Sequence, residues 1–155
     1  AKKYFEEGID EIIFQDVVAS LYKRNQLSKF TNQISKDIFA PITVGGGIRS
    51  VEDIKDVLIN GADRVSINTA ALNDKNFIKQ SVNTFGASTI TINIETLKIN
   101  DKYKIYTNSG RTEINLDLFD WVKEVQDLGV GEIILTSINK EGTGKGFDRE
   151  WYEKC

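Results

Sequence analysis

Ile42-Thr43-Val44-Gly45-Gly46-Gly47-Ile48-Arg49 and Gly61-Ala62-Asp63-Arg64-Val65-Ser66-Ile67-Asn68-Thr69-Ala70 are the two stretches on which the reading of this chain turns. In each, a short run of β-branched residues enters a backbone rich in exposed amides or small hydroxyls, and a helical pattern follows. Helix starts hold anions well, because their first N–H groups lack intrahelical partners and lie at the positive end of the dipole. A glycine run can also present a concave set of N–H groups to an anion. Two such strand ends make Gly46, Gly47, Asn68 and Thr69 candidates for a phosphate seat. Glycine triplets after strands also occur as plain turns, so the pairing of the two stretches carries the reading.

Around these stretches the chain alternates. Strands are predicted at Glu11 to Phe14, Ile42 to Val44, Arg64 to Ile67, Thr89 to Ile94 and Glu132 to Leu135, all short and without strict polar alternation. Continuous apolar strands point to a parallel sheet covered on its outer face. Helices are predicted at Gln26 to Ser35, Val51 to Asn60, Asn76 to Val82 and Leu116 to Leu128. Ser50 with Asp53 forms a capping-box pattern, and Asn60-Gly61 and Leu128-Gly129 are stop signals. Lys2 to Gly8 reads as a helix tail with a glycine cap, and Arg149 to Cys155 as a helix barely begun. Both ends look cut, which suggests part of a larger chain. Leu97 to Thr107 reads as a β-hairpin turning at Asn100-Asp101, inserted after the fourth strand.

Repeated βα units admit a doubly wound sheet or a (β/α) barrel, and both put ligands at the carboxyl ends of strands. The Gly45-Gly46-Gly47 loop lacks the spacing of a dinucleotide fingerprint, and no P-loop lysine follows it. A nucleotide fold is disfavoured.

Composition narrows the chemistry. With 155 residues, 40% hydrophobic and 28% charged, the chain suits a single globular segment spanning 1–155. A net charge of -3 argues against sequence-independent nucleic-acid binding. No apolar run approaches the roughly 20 residues of a membrane span, and no signal peptide opens the chain, so a cytoplasmic location is expected. The single cysteine, Cys155, excludes an internal disulfide and a cysteine-rich metal cluster. No metal or cofactor is expected. Without histidine, acid–base work falls to Asp, Glu, Lys or Tyr.

Phe14-Gln15-Asp16, the triple-glycine stretch, the Gly61 to Ala71 stretch and Gly131-Glu132-Ile133-Ile134-Leu135-Thr136-Ser137-Ile138 together resemble the cyclase subunit of imidazole glycerol phosphate synthase. The likeness runs in order from Glu7 to about Asp148. The isomerase one step earlier in histidine biosynthesis shares the glycines but usually has glycine at the position of Asn68. The resemblance implies a (β/α)8 barrel of about 250 residues, of which this chain would supply the second to sixth strands.

What the resemblance implies about roles can be placed residue by residue. Gly47, Asn68 and Thr69, with Gly46, match the half-site for one phosphate of a bis-phosphorylated substrate, and Asp16 lies beside it. Thr136, Glu141 and Gly142 match positions near the rest of the substrate. Glu95 stands where the family carries a catalytic aspartate at a strand end, and Asn139 and Glu141 replace two further aspartates. Glu11, Arg64 and Glu132 match a charged gate at the barrel bottom, through which ammonia arrives from a glutaminase subunit. Asp63 resembles a position in that contact. Trp121 and Phe119 read as packing residues, and Lys23, Arg24 and Lys29 as surface charges.

Three functions stay open at this point. The first is ring closure fed by ammonia, forming imidazole glycerol phosphate. The second, towards which Glu95, Asn139 and Glu141 lean, is a paralogous barrel that delivers ammonia to a sugar in surface-polysaccharide synthesis. The third is a truncated chain that binds phosphate or self-associates through its open sheet edges without catalysis.

Overall fold

The computed structural model describes residues 1–17, 27–100 and 102–150. Among the described residues, seven strands form one sheet, flanked by helices. β1 (Ile12–Gln15), β2 (Ile42–Gly45), β3 (Arg64–Ile67) and β4 (Ile90–Ile99) pair in parallel in that order. β7 (Glu132–Ser137) lies parallel to β4 on its other side. These five strands are the predicted parallel set. The sheet does not close, and β1 and β7 are its parallel edges among the described residues.

The helices are α1 (Lys2–Glu6), α2 (Leu27–Ser35), α3 (Val51–Ile59), α4 (Thr69–Asn73), α5 (Lys75–Phe85) and α6 (Leu118–Asp127). Every residue of β2 is buried, as are Val65 to Ile67 and Ile90 to Ile94. Ile54, Val57, Ile78, Trp121 and Val125 from α3, α5 and α6 close over them. Burying side chains of this size contributes about 1.5–3 kcal/mol each, which outweighs the modest helix propensities involved. Ile13, by contrast, is 50% exposed on the open inner side of edge strand β1.

Local signals fix the boundaries. The Ser50 hydroxyl accepts from the Asp53 N–H at 3.1 Å, and the Asp53 carboxylate accepts from the Ser50 N–H at 3.1 Å, so the capping box starts α3. Gly8 has φ +85 just past α1, in line with the predicted cap. Phe119 stands edge-on to Tyr103 with ring centroids 6.3 Å apart, and Trp121 is fully buried, so both pack as expected.

Two differences matter. β4 does not stop at Ile94 but runs on to Ile99, so the predicted strand and the first arm of the hairpin are one element, and Glu95 sits within it. Beyond β5 (Lys102–Thr107) comes another strand, β6 (Thr112–Asp117), where the helix was predicted to begin at Leu116. The amphipathic pattern of α6 extends backwards over Leu116, but the Asp117 side chain accepts from the N–H groups of Phe119 and Asp120 and sets the true start. The start of the predicted helix at Gln26, the turn residue Asp101, the surface assignments of Lys23 and Arg24, and residues 151–155 of the last predicted helix lie outside the described residues.

Within the triple glycine, Gly46 is required sterically. Gly46 has φ +104, and a Cβ there would stand 2.2 Å from the Asp16 carbonyl oxygen. Gly46→Ala therefore combines backbone strain with a main-chain clash, and a loss of about 3 kcal/mol is expected in urea unfolding. An unchanged midpoint would mean that the loop does not approach β1 so closely. Asp117→Ala should cost about 1 kcal/mol through the lost cap, read in the same way.

Candidate functional site

Parallel pairing in register brings the carboxyl ends of β1, β2 and β3 to one rim of the sheet. Gln15 lies opposite Gly45, Gly45 opposite Ser66, and Ile67 opposite Ile92. Just beyond these ends is a cavity of about 290 Å³ lined by Asp16, Gly46, Gly47, Asn68, Thr69 and Glu95 among others. Six residues singled out in the sequence thus share one space. Its charged lining is Asp16, Arg49, Asp74 and Glu95. Among the described residues the acids outnumber the guanidinium, so the anion-binding capacity they offer comes from N–H dipoles more than from net charge. The Ser66 hydroxyl and the Asn68 side-chain oxygen are buried without hydrogen-bond partners, which leaves polar capacity in the wall of this cavity.

A second cavity of about 210 Å³ lies on the open inner side and is lined by Asn93, Glu95, Thr136 and Glu141 together with Gln15, Val17 and Ser109. Glu95 lines both spaces. Thr136 donates to the Asn93 side-chain oxygen at 3.0 Å, which fixes its rotamer at the end of β7. Gly142 lies on the exposed loop after β7 and lines neither cavity. Asn139 is engaged elsewhere, accepting from the Lys98 N–H at 3.0 Å.

Burial pushes the Glu95 carboxyl above its usual value of 4.5. The Gly110 N–H and the Asn68 side chain, which both hydrogen-bond it, pull the other way, and the Glu141 charge adds a further upward push. The Gly110 N–H stands 3.0 Å from Glu95 Oε2. This partner comes from the turn between β5 and β6, as do the cavity residues Asn108 and Ser109, and none of the three was singled out in the sequence. A signal did exist: Asn108-Ser109-Gly110 is turn chemistry between two alternating stretches.

At the opposite, amino-terminal rim, Arg64 Nη1 lies 3.0 Å and 3.1 Å from the two Glu11 oxygens and 3.2 Å from Glu132 Oε2. Thr43 donates to Glu11 at 2.6 Å. The three predicted gate residues therefore form one partly exposed ion cluster. Asp63 accepts from the Ile42 N–H at 2.8 Å and so serves the β2–β3 junction. No helix among the described residues is long and apolar enough to cross a membrane.

Comparison with known proteins places the chain in a family. The family model described as "Histidine biosynthesis protein" matches residues 1–155. The imidazole glycerol phosphate synthase subunit HisF of Legionella pneumophila is 44% identical over 151 residues, covering 97% of this chain and 71% of the relative. The subunit of the same name from Sulfurisphaera tokodaii is 44% identical over 150 residues, covering 97% of this chain and 60% of the relative. That from Petrotoga mobilis is 42% identical, with 96% and 60% covered. The chain thus spans between 60% and 71% of the length of these relatives. A match that runs the whole length of the chain, with identity at this level, makes it a member of the histidine biosynthesis protein family.

Proposed function

We propose that this chain supplies one half of the active site of an ammonia-using cyclase of the imidazole glycerol phosphate synthase type. The observation that carries the reading is the convergence of Asp16, Gly46, Gly47, Asn68, Thr69 and Glu95 on one cavity at the carboxyl ends of parallel strands. Its similarity to relatives named as synthase subunits supports the same reading.

In this account one phosphate of a bis-phosphorylated substrate sits against Gly46, Gly47, Asn68 and Thr69, which anchors the ribulosyl chain. Ammonia then attacks the ribulosyl carbonyl carbon, whose oxygen leaves as water, and cyclisation with cleavage of a carbon–nitrogen bond splits the substrate into imidazole glycerol phosphate and the departing aminoimidazole nucleotide. The reaction moves protons off the attacking nitrogen and onto a departing oxygen, so it needs a group that exchanges protons near neutral pH. Glu95 suits that task as a carboxyl at the cavity wall whose pKa burial raises above its ordinary value. Asp16, Thr136 and Glu141 would contact the remainder of the substrate, with Gly142 reaching it only if its loop moves. A glutaminase subunit would dock on the opposite rim, where Glu11, Arg64 and Glu132 could gate ammonia, in a cytoplasmic heterodimer.

The sugar-amidating paralogue remains the second reading, favoured by one observation. Asn139, which stands in place of an acidic residue, points its side chain at the Lys98 backbone and not into either cavity. Turnover of the aminoimidazole substrate with ammonium salts separates the two readings.

For the first reading, Glu95→Gln should lower ammonia-dependent turnover by about 100-fold or more, the usual contribution of a positioned proton-transfer group. Full activity would remove Glu95 from the mechanism. Asn68→Asp should weaken inorganic phosphate binding at least tenfold, measured by calorimetry, because it sets a like charge beside the dianion; that factor corresponds to about 1.4 kcal/mol. Unchanged affinity would take Asn68 out of the seat.

The raised pKa of Glu95 also has a sign in stability. The folded state favours the neutral acid, so the stabilisation is complete below about 4.5 and is lost as pH rises through the raised folded value. Glu95→Gln should flatten this part of the stability profile and exceed the parent chain in thermal stability at neutral pH. A parallel profile for the two proteins would contradict the assignment.

A further inference from the structure

At Glu95 one edge of β4 changes partner. β3 pairs with β4 as far as Ile67 opposite Ile92, whereas β5 pairs with it from Glu95 opposite Tyr106 to Ile99 opposite Lys102. β7 is still paired at Glu95 and Thr96, so β5 must occupy the edge that β3 has vacated. The β5–β6 hairpin therefore stands directly over the carboxyl end of β3, and its tip turns back across the rim.

That tip is an unusual backbone. Asn108, Ser109 and Gly110 have φ of +54, +59 and +74, three successive residues in the left-handed region. For the two residues that carry a Cβ this costs about 1 kcal/mol or more each, a strain that persists only where the surroundings over-determine it. Three contacts do so. The Asn108 N–H lies 3.4 Å from the Thr69 hydroxyl, Ser109 Oγ donates to the Val17 carbonyl at 2.8 Å, and the Gly110 N–H donates to Glu95 Oε2 at 3.0 Å. The turn is thereby tied to the segment after β1, to the head of α4 and to β4.

We propose that Gly110 is the positioning residue for Glu95: its N–H fixes one carboxylate oxygen and so assigns the exchangeable proton to the other. An N–H is only a donor, so the oxygen it holds must be the unprotonated one in both states of the acid. When Glu95 is ionised, Oε2 accepts this bond and Oε1 takes up the incoming proton. When Glu95 is protonated, Oε2 is the carbonyl oxygen, keeps the same bond, and Oε1 carries the hydrogen. One fixed dipole thus serves the group as acid and as base without rotation of the carboxyl.

Side-chain length belongs to the same device. An aspartate at this position would be shorter by one carbon–carbon bond, about 1.5 Å, and the 3.0 Å contact would be lost. Among the described residues, the charged groups lining the two cavities that Glu95 shares are Asp16 after β1, Arg49 after β2, Asp74 between α4 and α5, and Glu141 after β7. Besides these charges, the Asn68 side chain also hydrogen-bonds Glu95, but its amide sits on a rotatable side chain, whereas the Gly110 donor is held in place by the main chain of the turn. The inference rests on the reading of Glu95 as the proton-transfer group, but its test needs no turnover.

The test is a pH titration of the whole chain by NMR, following the Gly110 amide proton and the Glu95 carboxyl carbon together. The expected result is one shared midpoint above 4.5, the ordinary glutamate value. Glu95→Gln and Glu95→Asp should each abolish the Gly110 titration while the remaining amide spectrum stays dispersed. Different midpoints for Gly110 and Glu95 in the parent chain would overturn the proposal. So would a Gly110 titration that survives in Glu95→Gln. Either of those results would leave the catalytic reading intact, because that reading is judged by turnover of Glu95→Gln alone.

Discussion

Parallel pairing in register is the constraint from which the rest of this molecule follows. Because β1, β2, β3, β4 and β7 all run the same way, every strand's carboxyl end reaches one rim and every amino end the other. Cavity residues and ion cluster then separate by chain direction. Asp16, Gly46, Gly47, Asn68 and Thr69 follow their strands and gather around the cavity, while Glu11, Arg64 and Glu132 begin or precede theirs and meet in salt bridges. A slip of one residue in any pairing would reverse the side chains of that strand and dismantle both groups.

The second determinant is the length of β4. At ten residues it outlasts its β3 partner, and this overhang carries the hairpin that roofs the cavity. Glu95 owes its environment to that overhang. It is half-buried at the change of partner, held by an amide fifteen residues further on, and near enough to Glu141 to be repelled. Among the described residues the lining offers one guanidinium, Arg49, against several carboxylates, so main-chain N–H groups are its main means of attracting an anion.

Much of this was legible in the sequence, and the reasons are local. The five parallel strands announced themselves as short Ile- and Val-rich runs between helical patterns, and Ser50 with Asp53 named the start of α3. The rim was readable because glycine at Gly46 has a steric reason that no other residue meets. The third strand of the hairpin region was not seen, because the amphipathic pattern of α6 continues through Leu116 and hides the alternation of Thr112 to Asp117. Likewise the main-chain partner of Glu95 could not be read from spacing. It is a backbone N–H delivered by a left-handed turn, and a backbone donor leaves no residue type to recognise.

The central claim is that one phosphate is held where the ends of β2 and β3 meet, beneath the β5–β6 turn. A crystal structure of the chain grown in inorganic phosphate tests it most directly. The account predicts tetrahedral density within hydrogen-bonding distance of the Gly47 and Thr69 amides. Phosphate bound only at lysines on the outer surface, with this cavity holding water alone, would contradict it.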